Sequence, residues 1–131
     1  MTTILIVETD GKIIERMVKW LSKYNVLVAN SAKDAFSLLS RYPDIGLIIT
    51  QQFIEGMELD MFVAKIHQID KKIYVIVSSS AKPSEKLQRG FRAMNIDASV
   101  YKPFNARQLT SLLSYILTEH PKRSLLELNI V

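Results

Sequence analysis

Five short apolar runs recur along the chain, at Ile4–Val7, Val26–Ala29, Leu47–Thr50, Tyr74–Val77 and Ala98–Tyr101, with an amphipathic stretch after each. The runs are near-continuous and do not alternate with polar residues, which is the pattern of strands covered on both faces. A parallel sheet between two layers of helices meets that demand, and the amphipathic stretches supply the helices. The expected architecture is therefore α/β: a doubly wound five-stranded parallel sheet with five flanking helices and right-handed crossovers.

Each helical stretch opens on a start signal. Asp10 caps the first, where Ile13, Ile14, Met17, Val18 and Leu21 fall at helical spacing. Ser31 with Asp34 resembles a capping box for the second, which carries Ala35, Leu38 and Leu39. The third begins near Leu59 and is expected to bury Met61, Phe62, Val63 and Ile66. Ser84 caps the fourth, with Leu87, Phe91 and Met94 turned inward. Asn105 and Gln108 open the fifth, which holds Leu109, Leu112, Leu113 and Ile116 and ends before Pro121. No repeat, low-complexity segment or linker precedes that proline. The expected division is a single domain over 1–120, followed by a tail or the start of a linker over 121–131.

Composition narrows the function classes. A chain of 131 residues with 48% hydrophobic and 23% charged residues suits one compact domain with a real core. It has no cysteine, which removes disulfides, thiolate catalysis and zinc–sulfur sites. The apolar runs are strand-sized, and no basic segment followed by a long apolar one opens the chain, so neither a membrane span nor a signal peptide is expected. A cytoplasmic location is the expectation. The net charge of +4 is spread along the chain, which argues for a solvated surface and against nucleic-acid binding.

In a doubly wound sheet, function sits beyond the carboxyl ends of the strands, beside the point where strand order reverses. The residues there are Glu8, Thr9 and Asp10 after strand one, Gln51 and Gln52 after strand three, Ser79, Ser80 and Ala81 after strand four, and Lys102 with Pro103 after strand five. No glycine-rich phosphate loop follows strand one, so a dinucleotide, P-loop or flavin role has little support. His67 and His120 stand apart from each other and from any carboxylate cluster.

The segments "ILIVETD", "GLIITQQFIEGM", "VSSSA" and "YKPF", in this order, resemble the receiver domain of two-component response regulators over residues 2–119. The resemblance implies a flavodoxin-like sheet in the order 2-1-3-4-5. It also implies a strand-one acid pair that binds magnesium, a strand-three aspartate that accepts a phosphoryl group, and a strand-four hydroxyl and strand-five lysine that sense it. The Lys-Pro peptide is implied to be cis. Carried over residue by residue, the pattern breaks where the chemistry lies. Aligning on "EGM" puts Gln51 at the acceptor position, and an amide does not form an acyl phosphate. Thr50, one residue earlier, should point to the other side of the strand. The acid pair reads Glu8-Thr9 with Asp10 following, and Asp10 is already explained by capping. Ser80 and Lys102 are retained, and the switch aromatic three residues before the lysine is replaced by Ser99. Tyr101 is expected to face the opposite side of the strand.

The expectation is a pseudo-receiver: no enzyme, no cofactor and no metal, phosphorylation-independent, with phosphotransfer from a histidine kinase not anticipated. Lys102 should find Glu8 as an ion-pair partner, with Gln51 hydrogen-bonded beside them, since a partly buried lysine without a partner is costly; snorkelling to solvent is the alternative. The resemblance implies docking through the fourth helix, fifth strand and fifth helix, either to a protein partner or to a second copy. Lys86, Arg89 and Arg92 make that face basic, which suits an acidic partner or a merely solvated surface. The alternative function is an active phosphoacceptor that uses magnesium and a displaced carboxylate such as Glu55. Asp44 lies at the wrong end of the sheet for that role, and Asp60 at a helix start. The tail residues Leu125, Leu126, Leu128, Ile130 and Val131 suit packing on the domain, a dimer contact or a linker.

Overall fold

The computed structural model describes residues 2–119. His120, Pro121 and the apolar tail, with the readings made of them, lie outside the described residues. The elements run β1 (Thr3–Val7), α1 (Gly11–Trp20), β2 (Asn25–Ala29), α2 (Ala32–Arg41), β3 (Ile45–Gln51), α3 (Leu59–Ile69), β4 (Tyr74–Ser79), α4 (Glu85–Ala93), β5 (Ala98–Tyr101) and α5 (Ala106–Ser114). A π-helical turn, Tyr115–Glu119, continues α5. All four strand pairings are parallel and the sheet order is β2-β1-β3-β4-β5. This is the five-stranded, doubly wound sheet that the apolar runs predict. The order reverses at β1 and β3, so a crevice opens between their carboxyl ends.

Side-chain alternation divides the core in two. Leu5, Val7, Ile48, Val75 and Val77 pack on one face against Ala35 and Leu39 of α2, Phe62 and Ile66 of α3, and Phe91 of α4. Ile4, Ile6, Leu47, Ile49, Ile76 and Val100 pack on the other against Met17 of α1 and Leu109 and Leu113 of α5. Phe36 and Phe62 meet at a ring-centroid distance of 5.4 Å. Two helix faces are rotated from expectation. Val18 is 40% exposed and Met61 is 52% exposed. In each helix, neighbours a turn away already fill the surface of the sheet, and the apolar residue left on the flank meets solvent.

The caps form as their residues dictate. Asp10 Oδ1 accepts from the Lys12 and Ile13 amides, Ser31 Oγ from the Asp34 amide and Ser84 Oγ from the Leu87 amide. Asn105 and Gln108 exchange bonds of 2.8 and 2.9 Å in a full capping box. Replacing Asn105 with alanine should lower stability by about 1 kcal/mol, read as a shift in urea midpoint at constant slope. No described helix is long and apolar enough to cross a membrane.

Candidate functional site

The face of the sheet toward α1 and α5 determines what enters the crevice. Continuing the alternation past the apolar runs, Glu8 follows Ile4 and Ile6, and Gln51 follows Leu47 and Ile49. Ser78 follows Tyr74 and Ile76, so all three turn to that face. Gln51 and Ser78 are in register, and Ser78 is in register with Val100. Thr50 sits on the other face, fully buried, and donates its hydroxyl to the Gln51 carbonyl at 2.9 Å.

Glu8 is 3% exposed, and both of its carboxylate oxygens are engaged. Oε1 accepts from Lys102 Nζ at 2.9 Å. Oε2 accepts from the backbone amides of Thr9 at 3.0 Å and Asp10 at 3.2 Å. A carboxylate this deep needs charge-assisted partners on each oxygen, and the chain end of β1 supplies two of them by curling into the first turn of α1. Lys102 reaches the pair from the β5–α5 connection, across a cis Lys102–Pro103 peptide. The ion pair expected from the sequence is therefore present, and Lys102 does not simply extend into solvent.

Gln51 does not join that pair as expected. Its Oε1 accepts from the Thr9 hydroxyl at 3.3 Å. Thr9 thus touches the strand-three amide. Ser80 is exposed, whereas Ser79 is fully buried and makes the polar contact: its hydroxyl donates to Gln52 Oε1 at 2.6 Å and accepts from the Ala81 amide at 3.0 Å. The Ser79–Gln52 contact is a feature the sequence reading missed. The signal for it is parity, since Ser79 falls on the face of Val75 and Val77 rather than that of Glu8. The Ser78 hydroxyl is buried and has no hydrogen-bond partner among the described residues.

Ser99 and Tyr101 also differ from expectation. They are two residues apart on one strand and so share a face, and the Ser99 hydroxyl donates to the Tyr101 hydroxyl at 3.3 Å. The loop that closes the crevice turns at Glu55 and Gly56 between Ile54 and Met57, which form an isolated antiparallel bridge. Gly56 has φ +95°, a conformation that an L side chain strains to adopt. Glu55 is exposed, and what holds it is its backbone carbonyl, which accepts from the Ala32 amide at 3.1 Å. Asp44 accepts from the Thr3 hydroxyl at the far end of the sheet, and Asp60 accepts from the Met61 amide in the first turn of α3. His67 Nε2 lies 3.2 Å from the Ile73 carbonyl, a contact that ties α3 to the residue just before β4.

These residues do not fit a magnesium ion. Magnesium needs a tight octahedron of oxygens anchored by one or two free carboxylates. Glu8 is spent on Lys102 and two amides, and Asp10 Oδ1 is spent on the α1 cap. Among the described residues, no group of three or more His, Cys, Asp or Glu side chains is placed to hold a metal.

A family model for the response regulator receiver domain matches residues 4–114. The chain belongs to that family. A search of curated proteins finds no match to this receiver domain. Among solved structures it is similar to the chemotaxis response regulator CheY4 of Vibrio cholerae, with 22% identity and a TM-score of 0.79, covering 89% of this chain and 99% of that one. It is also similar to a CheY-like receiver domain protein from Methanospirillum hungatei, with 22% identity and a TM-score of 0.81, covering 94% and 98%. A third is the signal receiver domain of a putative Luxo repressor protein from Vibrio parahaemolyticus, with 22% identity and a TM-score of 0.78, covering 98% and 96%. At these identities the likeness is one of fold. The receiver domain places the protein in two-component signalling.

Proposed function

We propose that this receiver domain signals without accepting a phosphoryl group, as a non-enzymatic module that works in the cytoplasm by protein contact. The observation that carries the reading is Gln51. Its carboxamide stands at the carboxyl end of β3, where the family's acceptor carboxylate belongs, and its oxygen is held by Thr9. An amide nitrogen has its lone pair delocalised into the carbonyl, and attack through oxygen would give no stable phosphoryl ester. The neighbouring groups support the same conclusion, because Lys102 is already neutralised by Glu8 and has no need of an incoming phosphate.

The contact surface we propose is α4–β5–α5, with an acidic protein or a second copy as its partner. Lys86 and Arg92 are exposed on α4, while Arg89 forms an exposed i,i+4 pair with Glu85 at 3.4 Å. Such a pair is weak and easily exchanged for a partner's carboxylate. The displaced-carboxylate alternative finds no favouring geometry, since Glu55 points from an exposed loop.

Incubation with magnesium and acetyl phosphate, or with beryllofluoride, should leave the intact mass and the amide spectrum unchanged. One phosphoryl group per chain on any aspartate or glutamate would overturn the proposal.

A further inference from the structure

Adjoining the crevice, and sharing Lys102 with it, lies a cavity of about 360 Å³ between α1 and the connections that follow β4 and β5. Its lining includes Ile13, Arg16, Trp20, Ser80, Lys102 and Phe104. The Trp20 and Phe104 rings meet edge to face, with centroids 6.1 Å apart and planes at 63°, so two rigid aromatic side chains make one apolar corner. Ile13 and the aliphatic stem of Lys102 extend that apolar surface.

The charges of the lining are unequal. Lys102 Nζ is taken by Glu8 at 2.9 Å. Arg16 is exposed and forms no ion pair among the described residues, so its guanidinium is the uncommitted cation of the cavity. Its planar fork of N–H donors matches a carboxylate in a way an ammonium does not. The exposed Ser80 hydroxyl adds a further donor. A volume of this size falls within the range of about 300–1,000 Å³ that small-molecule sites occupy, and a mostly apolar lining with a few convergent polar groups is their usual make-up.

We infer that this cavity binds a small organic monoanion: a flat apolar ring against Trp20 and Phe104, with its carboxylate on Arg16 and Ser80. A bare inorganic anion would leave the aromatic corner unused. A neutral ring would leave Arg16 unpaired. The inference does not depend on whether strand three can be phosphorylated, so its test and the acetyl phosphate test fail separately.

The chain contains one tryptophan, so the Trp20 indole N–H gives a single reporter signal in the amide spectrum of isotope-labelled protein. Titration with sodium benzoate should move that signal and the Ser80 and Phe104 amides saturably, with a dissociation constant on the order of 1 mM for a fragment of this size. Benzamide, the same shape without the charge, should bind at least about tenfold more weakly. Arg16→Gln, an exposed substitution whose fold is checked by the unperturbed remainder of the spectrum, should weaken benzoate about tenfold and leave benzamide unchanged. Inorganic phosphate should not move the Trp20 signal. Benzoate and benzamide binding equally well, Arg16→Gln binding benzoate like the natural sequence, phosphate moving Trp20 as benzoate does, or no saturation by about 50 mM would each overturn the inference.

Discussion

The double variant Thr9→Asp, Gln51→Asp is expected to become labelled by acetyl phosphate in the presence of magnesium, from none to a majority of chains, while the natural sequence stays unlabelled. The step is a displacement at phosphorus: a carboxylate oxygen of the new residue 51 attacks, the bond to the acetyl oxygen breaks, and acetate leaves with the electron pair. Gln51 lacks such an oxygen. The acceptor alone is not enough, because the transferring group carries charge that a divalent ion must offset. Glu8 cannot hold that ion unaided, with Oε1 on Lys102 and Oε2 on two backbone amides. Thr9 is exposed at the mouth of the crevice and touches the strand-three side chain, so an aspartate there faces the new acceptor with both oxygens free. Gln51→Asp alone places a second carboxylate near Glu8 without the cation that would stabilise both, and should remain unlabelled. Intact-mass measurement decides. Equal labelling of the single variant would remove the metal argument. No labelling of the double variant would show that the closed Glu8–Lys102 pair, not the identity of residue 51, keeps the crevice silent.

What was legible in the sequence follows from which forces are local. The sheet was readable because strands buried on both faces must be apolar throughout, and the caps at Asp10, Ser31, Ser84 and Asn105 because their side-chain bonds span only two or three residues. Strand ends were less so. β3 runs on to Gln51 and β4 to Ser79, past the last apolar residue of each run, since ladder hydrogen bonds do not depend on side-chain polarity. The Glu8–Lys102 pair was legible despite a separation of 94 residues, because a buried carboxylate and a partly buried ammonium beyond the carboxyl ends of the same parallel sheet have strong reason to meet. The Gln51–Thr9 and Ser79–Gln52 bonds were not. Several polar partners lay within reach of each, and which one wins depends on a rotamer and on the twist of the strand end. Tyr101 is a simpler case, in which counting residues from Ser99 gives the shared face directly.

Lys102→Met is expected to destabilise the domain by about 2–3 kcal/mol, a fall in melting temperature of about 6–10 °C. Breaking a fully buried ion pair costs about 3–5 kcal/mol, mostly through the charge left behind. Two features reduce that here. The Lys102 side chain keeps 20% of its exposure, so part of its charge was already hydrated, and Glu8 retains its two amide bonds on Oε2. Oε1 loses its partner at a side-chain exposure of 4%, and that loss dominates. Adding Glu8→Gln to Lys102→Met removes the stranded charge and should bring stability back to within about 1 kcal/mol of the natural sequence, so the two substitutions are strongly non-additive. Urea unfolding of the four members of the cycle measures the coupling directly. A surface pair would give less than about 1 kcal/mol and vanish in salt; this one should persist, because its carboxylate is beyond the reach of the counterions. On the proposed reading, that persistence is what leaves the crevice silent: Lys102 has an anion supplied by the chain itself, and little electrostatic drive to recruit another.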